Sequence, residues 1–122
     1  MNTRAVLPAT DMNKTEAAWC RELELRRRAG EVQWYQYEPM ALILAKATRY
    51  TPDFIVLTDA GALEAHEVKG FWRDDARAKI KIAATLFPWI RFVAISRGKG
   101  RAAWDIESIS PRVGPQGRDC VG

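Results

Sequence analysis

The sequence predicts an α/β fold in which helices cover both faces of a central β-sheet. Residues 14–29 and 74–87 repeat their apolar side chains with the period of a helix, and the segments between and after them contain short runs typical of strands. One run, residues 54–57, is apolar at both odd and even positions. A strand of that kind is covered on both faces, so it belongs inside the sheet with a helix on each side.

Length and composition predict one domain with one hydrophobic core. The chain has 122 residues, 48% of them hydrophobic and 28% charged, which are ordinary values for a globular domain and exclude wholesale disorder. No apolar run suggests a membrane span or a signal peptide, so we expect a cytoplasmic protein. We expect residues 1–12 to form a flexible arm, residues 13–110 the single domain and the Pro/Gly-rich residues 111–122 a loose tail.

The first helix and the strands after it are predicted from their end signals. Asn13 has the form of an N-cap with Glu16 three residues later, and Gly30 is a natural stop, so a helix is expected over residues 14–29. The aromatic run at residues 32–38, ended by Pro39, predicts a strand, and residues 40–45 predict a short second strand.

The second half of the chain predicts a hairpin, a helix and two further strands. Residues 53–58 and 62–69 flank a tight turn at residues 59–61, which favours a β-hairpin. Acidic residues at positions 74 and 75 favour a helix start, and Pro88 ends that helix. Residues 89–96 and 103–109 then have the composition of strands.

The composition also limits which partners and which catalytic residues the chain can have. Nineteen Lys and Arg against fifteen Asp and Glu give a net charge of +4, which favours a polyanionic partner such as nucleic acid. The two cysteines, Cys20 and Cys120, lack the spacing of a zinc site or a disulfide framework. The single histidine, His66, has no nucleophile motif to serve, and there is no phosphate-binding loop. Catalysis would therefore rest on carboxylates and lysine.

Two acidic residues and a lysine are predicted to meet at one end of the hairpin. A tight turn at residues 59–61 places Asp53 opposite Glu67, or one residue away if Gly61 forms a bulge. Lys69 is two residues beyond Glu67 and therefore on the same face. Like charges opposite each other destabilise a sheet, whereas a hard divalent cation with oxygen ligands reverses that effect. The pattern predicts a site for Mg²⁺, for which Mn²⁺ could substitute. The alternative interpretation of the same residues is a surface Asp at a strand start and an exposed Glu–Lys pair without a metal.

These residues resemble a known signature. Pro52-Asp53, a gap of thirteen residues, and then Glu67-Val68-Lys69 resemble the motif of the PD-(D/E)XK nuclease superfamily. Residues 13–97 resemble small phage-encoded endonucleases of that superfamily, including members that resolve Holliday junctions. The resemblance implies a restriction-endonuclease-like fold, a mixed central β-sheet flanked by helices, and a Mg²⁺-dependent endodeoxyribonuclease that works in a bacterial host cell if phage-encoded.

The resemblance implies a role for each matching residue. Asp53 and Glu67 would be metal ligands together with the backbone carbonyl of Val68, and Lys69 would orient the attacking water and stabilise charge. A glutamate on the first helix often completes such sites, and Glu16 matches it by position, although a capping-box glutamate needs no metal. Glu38 would add a ligand through water, or is only a strand-end carboxylate.

Neighbouring residues suggest how DNA would be held. A basic stripe on the second helix either contacts the phosphate backbone or faces solvent; it comprises Arg73, Arg77, Lys79 and Lys81. Phe71 and Trp72 would either stack on bases or be buried at the helix start. His66 must point away from the face of Glu67, so we expect it to be a partly buried, hydrogen-bonded histidine outside the site.

The predicted function is metal-dependent DNA cleavage, with a preference for branched DNA such as a four-way junction. This preference follows by analogy with small nucleases that have little surface for reading sequence. A homodimer would place two nicks symmetrically, with residues 34–37 as an interface. Two alternatives remain: a nuclease for linear or single-stranded DNA or for RNA, and a binding protein that keeps the fold but cleaves nothing.

Overall fold

The computed structural model describes residues 12–72, 74–99 and 103–111. The flexible arm and loose tail predicted at the termini lie outside the described residues, apart from residues 12 and 111. Within the described ranges, the helices are α1 (Lys14–Arg28) and α2 (Asp74–Leu86), and the strands are β1 (Val32–Tyr37), β2 (Leu42–Ala45), β3 (Thr48–Tyr50), β4 (Phe54–Thr58), β5 (Leu63–Val68), β6 (Arg91–Arg97) and β7 (Trp104–Ile109).

A five-stranded mixed sheet with the order β1-β4-β5-β6-β7 forms the centre of the fold. The β5–β6 pair is parallel and the other neighbouring pairs are antiparallel. Strand β4 lies between β1 and β5, as predicted from its apolar residues on both faces. The α/β class and the mixed sheet flanked by helices are therefore confirmed.

One helix covers each face of the sheet, because alternate side chains of each strand point to opposite sides. On one face, Trp19 and Leu23 of α1 pack with Phe54 and Val56 in the α1-side cluster. On the other face, residues of α2 pack with strand residues in the α2-side cluster, which includes Ile80, Ala83, Ile55, Ala65 and Phe92. Burying each large apolar side chain contributes about 1.5–3 kcal/mol, so the two clusters hold the sheet between the helices.

Helix α1 begins and ends at the predicted signals. Asn13 Oδ1 accepts from the backbone N–H of Glu16 at 2.8 Å, and Glu16 Oε1 accepts from the backbone N–H of Asn13 at 3.0 Å, which completes a capping box. At the other end Gly30 has a φ of 85°, and the N–H of Glu31 reaches back to the carbonyl of Arg26 at 2.9 Å. This is a Schellman end, which requires a residue in the left-handed region at Gly30.

The β4–β5 hairpin has the predicted register. Its pairs run from Leu57 opposite Leu63 to Phe54 opposite His66 without a bulge. The next step along both strands places Asp53 opposite Glu67. The hairpin thereby brings two acidic residues, separated by fourteen positions in sequence order, to the same end of the sheet.

Two predicted elements differ from the structure. The segment at residues 40–45 forms only the first strand of a separate two-stranded sheet, whose second strand, β3, was not predicted. Strand β6 begins at Arg91 rather than at residue 89, because Pro88 and Trp89 lie in a turn closed by a hydrogen bond from the N–H of Ile90 to the carbonyl of Phe87 at 3.0 Å. The aromatic ring of Trp89 favoured a strand, but the turn that follows α2 takes precedence.

Candidate active site

Two buried carboxylates lie side by side at the end of the β4–β5 hairpin. Asp53, just before β4, is 7% exposed, and Glu67, near the end of β5, is 8% exposed. The backbone N–H of Val68 donates to Asp53 Oδ2 at 2.8 Å, which fixes the Asp53 side chain against β5. The predicted pairing of Asp53 with Glu67 is therefore present in the fold.

The electrostatics of the pair disfavour two negative charges. Burial and then the charge of Glu67 raise the pKa of Asp53 to about 8, although the N–H of Val68 acts in the opposite direction. Burial also raises the pKa of Glu67, against the opposing effects of its hydrogen bond to Tyr50 and of the Lys69 charge. The site would therefore favour an added cation, since a cation relieves the repulsion that burial strengthens.

Lys69 supplies a positive charge at the rim of the pair. Its Nζ lies 3.4 Å from Glu67 Oε2, and its side chain is 43% exposed. The backbone N–H of Lys69 donates to the carbonyl of Ile95 at 2.9 Å, so pairing with β6 continues past the last residue of β5. The backbone of Lys69 is therefore fixed, whereas its side chain remains accessible from solvent, as contact with a substrate would require.

Tyr50 is a member of the site that sequence reasoning missed. Its hydroxyl donates to Glu67 Oε1 at 2.8 Å, and the residue is only 6% exposed. Burial, followed by the charge of Glu67, raises the pKa of the Tyr50 hydroxyl, so the group remains a donor. Its sequence signal is weak: a tyrosine three positions before Asp53 at the end of a strand of three residues.

Glu16 lies near the pair but is engaged on the α1 side. Its Oε1 accepts from the backbone N–H of Asn13 and from the hydroxyl of Tyr37, each at 3.0 Å. Its charge contributes to raising the pKa of Asp53, after burial and the charge of Glu67. Among the described residues, no three His, Cys, Asp or Glu side chains form a group that could hold a metal ion. A metal-binding or catalytic role for Glu16 therefore stays a prediction.

The backbone around Asp53 and Glu67 offers one further oxygen. In an extended strand the N–H and C=O of one residue point to the same neighbour, so we expect the Val68 carbonyl to lie on the Asp53 side, where its N–H donates. Glu38 lies beside the same end, where its N–H donates to the carbonyl of Asp53 at 2.8 Å. Glu38 has a φ of 44° and an exposed side chain, and it forms a bend directly after β1.

His66 is buried on the α1 side, as predicted. The indole N–H of Trp19 donates to His66 Nδ1 at 3.0 Å, and His66 Nε2 lies 2.9 Å from Glu64 Oε1. An indole N–H can only donate, so Nδ1 accepts and the ring proton is on Nε2, where it donates to Glu64. The same hydrogen bond lowers the pKa of Glu64. His66 thus connects α1 to β5 and lies outside the carboxylate pair.

The basic stripe of α2 is only partly available. Arg77 makes a two-point contact with Glu107 of β7, with distances of 2.7 and 3.1 Å, and this pairing lowers the pKa of Glu107. Lys79 and Lys81 are exposed, and Arg73 lies outside the described residues. The ion pair between Arg77 and Glu107 is solvent-exposed, so it stabilises the fold only slightly, and a phosphate could displace Glu107 from Arg77. Contact with DNA by the stripe stays a prediction.

The two aromatic residues after the hairpin separate in the fold. Trp72 packs against the α2-side cluster, with the Arg77 guanidinium 5.6 Å from its ring centre. Phe71 is 71% exposed, two residues beyond Lys69. By contrast, Tyr35 and Tyr37 of the predicted interface strand are each 7% exposed, because they pack in the α1-side cluster. Their side chains are therefore not a surface for a second copy, and the homodimer stays a prediction.

Comparisons with family models, curated proteins and solved structures found no match to this chain. Within the described residues, no helix is both long and apolar enough to span a membrane. Two buried carboxylates with raised pKa values are hard oxygen donors, which suit Mg²⁺ or Mn²⁺ better than soft or thiophilic metals.

Proposed function

We propose that this protein is a metal-dependent endonuclease of the PD-(D/E)XK type that hydrolyses phosphodiester bonds in DNA. The observation that supports the proposal is the buried Asp53–Glu67 pair with the Lys69 ammonium 3.4 Å from Glu67 Oε2. Two buried acids opposite each other, without function, would be costly to the sheet. A bound divalent cation would offset that cost.

The residues of the site would divide the work. Asp53, Glu67 and the Val68 carbonyl would hold Mg²⁺ or Mn²⁺, with Glu16 as a further proposed ligand. When bound, the cation would acidify a water molecule and offset the charge that grows on the phosphate. Lys69, which is partly exposed beside the pair, would orient that water and donate a hydrogen bond to the phosphate oxygens. No protein nucleophile is needed.

Branched DNA in phage recombination or DNA processing is the proposed substrate, and the cytoplasm the proposed place of action. The net charge of +4 and the exposed Lys79 and Lys81 favour a phosphate backbone as partner. A domain of this size has little surface for a sequence-reading element, so we propose recognition of DNA shape. A homodimer would cut a four-way junction at two symmetric positions.

A cleavage panel tests this proposal. End-labelled four-way junction, nicked duplex, linear duplex, single-stranded DNA and RNA would be incubated with Mg²⁺ or Mn²⁺. The parent protein is compared with Asp53→Asn and Lys69→Ala, and with two matched controls on exposed residues, Asp59→Asn at the hairpin tip and Arg21→Ala on α1. We expect paired nicks in the junction that disappear in the first two variants and persist in the controls.

The other outcomes would each revise the proposal differently. Comparable cleavage of linear DNA would remove the preference for branched substrates and leave the nuclease. Parental cleavage by Lys69→Ala would refute the mechanism. Tight, salt-sensitive DNA binding without metal-dependent cleavage of any substrate would identify a binding protein that keeps the fold.

A further inference from the structure

Three buried tyrosines each donate a hydroxyl hydrogen bond to a glutamate. Tyr35 donates to Glu24 at 2.8 Å, Tyr37 to Glu16 at 3.0 Å and Tyr50 to Glu67 at 2.8 Å. The first two bonds connect β1 to α1 across the α1-side cluster. The third reaches the carboxylate pair from a different element.

Tyr50 is held by packing that does not depend on Glu67. It is the last residue of β3 and pairs with Leu42 in the two-stranded sheet. Both residues are buried in the α2-side cluster, and the Tyr50 ring centre lies 6.4 Å from that of Phe92. Because the ring is fixed on several sides, its hydroxyl is a preorganised donor rather than a side chain that merely follows Glu67.

The hydrogen bond divides the two oxygens of Glu67 between two partners. Oε1 accepts from the Tyr50 hydroxyl at 2.8 Å, whereas Oε2 faces the Lys69 ammonium at 3.4 Å. A glutamate has several freely rotating bonds, and fixing one oxygen removes most of that freedom before a ligand arrives. A carboxylate oxygen that accepts one hydrogen bond retains a second lone pair, so the bond does not block coordination.

We propose that Tyr50 is a positioning residue that holds the Glu67 carboxylate in the orientation needed to bind a divalent cation next to Asp53. This inference rests on the proposed function, since it assumes that Glu67 is a metal ligand. It assigns to the β2–β3 hairpin the task of supporting the metal site from outside the central sheet.

The test compares two isosteric tyrosine variants. Tyr50→Phe and Tyr35→Phe each remove one hydroxyl bond of 2.8 Å to a glutamate and keep the ring. Binding of Mg²⁺ and Mn²⁺ would be measured by titration calorimetry and by the metal-induced rise in Tm. We expect Tyr50→Phe to bind the cation about 10-fold more weakly, the size of effect typical of groups that orient a ligand, and Tyr35→Phe to bind like the parent. Equal affinity of Tyr50→Phe and the parent, or equal weakening in both variants, would overturn the inference.

A double-mutant cycle shows whether Tyr50 acts through Glu67. In a Glu67→Ala background, which leaves no side-chain oxygen for Tyr50 to hold, adding Tyr50→Phe should cause no further loss of cation affinity. Additive losses would overturn the inference. The measurements are made at low temperature, and circular dichroism checks that every variant is folded. The two proposals remain separable. If the parent protein binds Mg²⁺ but cleaves no substrate, the nuclease proposal is wrong and the role of Tyr50 stands. If Tyr50→Phe cleaves DNA and binds the cation as well as the parent does, only the role of Tyr50 is wrong.

Discussion

Replacing Asp53 by Asn should stabilise the protein in the absence of metal, even though it removes the central residue of the site. The pKa of Asp53 is raised by burial and by the charge of Glu67, so its ionised form opposes folding. That cost is absent below the unfolded pKa near 4, grows as pH rises and is complete above the folded pKa of about 8. An asparagine side-chain oxygen can still accept from the Val68 N–H, so this hydrogen bond should survive.

The size of the effect follows from the cross-strand geometry. Side chains directly opposite each other on neighbouring strands are about 5 Å apart, and two unit charges at that distance repel by about 3 kcal/mol at an effective dielectric constant of about 20. The Lys69 ammonium offsets part of this repulsion. We therefore expect Asp53→Asn to gain about 1–3 kcal/mol at pH 8, which corresponds to roughly 4 °C in Tm for each kcal/mol in a domain of this size.

Thermal unfolding in EDTA between pH 5 and pH 9 measures this gain. The advantage of Asp53→Asn should be larger at pH 8 than at pH 5, and saturating Mg²⁺ should reduce it, because only the parent is stabilised by a bound cation. Asp59→Asn, at the exposed tip of the same hairpin, should show neither effect. If Asp53→Asn is no more stable than the parent at pH 8, or if its advantage does not change with pH, then burial and the charge of Glu67 do not raise the pKa of Asp53 in the folded protein.

Three further predictions concern activity and DNA binding. Lys69→Ala should cleave DNA about 100-fold more slowly or worse, because it removes one hydrogen-bond donor to the charge that develops on the phosphate, while its DNA affinity stays within a few-fold of the parent. Single-turnover rates measure the loss of cleavage, and a binding titration in Ca²⁺ measures the DNA affinity. If these side chains contact phosphates, Lys79→Ala and Lys81→Ala should each reduce the slope of log affinity against log salt concentration by about one. An unchanged slope would show that the replaced lysine makes no contact with the phosphate backbone. Phe71→Ala should weaken binding to single-stranded or branched DNA by about 1–3 kcal/mol, whereas Phe71→Trp should retain it; equal binding by Phe71→Ala would exclude base stacking at this position.

The sequence was sufficient to predict the carboxylate pair because a hairpin is a local structure. A tight turn fixes the register of both strands, so the positions of Asp53 and Glu67 follow by counting from Gly61. The ends of α1 were predictable for the same reason, because the Asn13 cap and the Gly30 stop depend on neighbours within a few residues.

The contacts that the sequence could not predict join distant elements. Strand β3 is three residues long, too short to show an alternating pattern, and the bond from Tyr50 to Glu67 depends on how the small sheet packs against the large one. The pairing of Arg77 with Glu107 spans thirty residues and forms only when β7 lies beside α2. Helical spacing placed Arg77 on an exposed face but contained no information about which acid it would meet.

Consecutive residues of β5 are fastened to opposite layers of the protein. His66 is bonded to Trp19 of α1 on one face, and Glu67 is bonded to Tyr50 of the small sheet on the other. Sliding or twisting the strand would break both bonds at once, so β5 should be among the last segments to exchange its amide protons with solvent. A cation held by Asp53 and Glu67, as proposed, would therefore be bound at a part of the sheet that opens rarely.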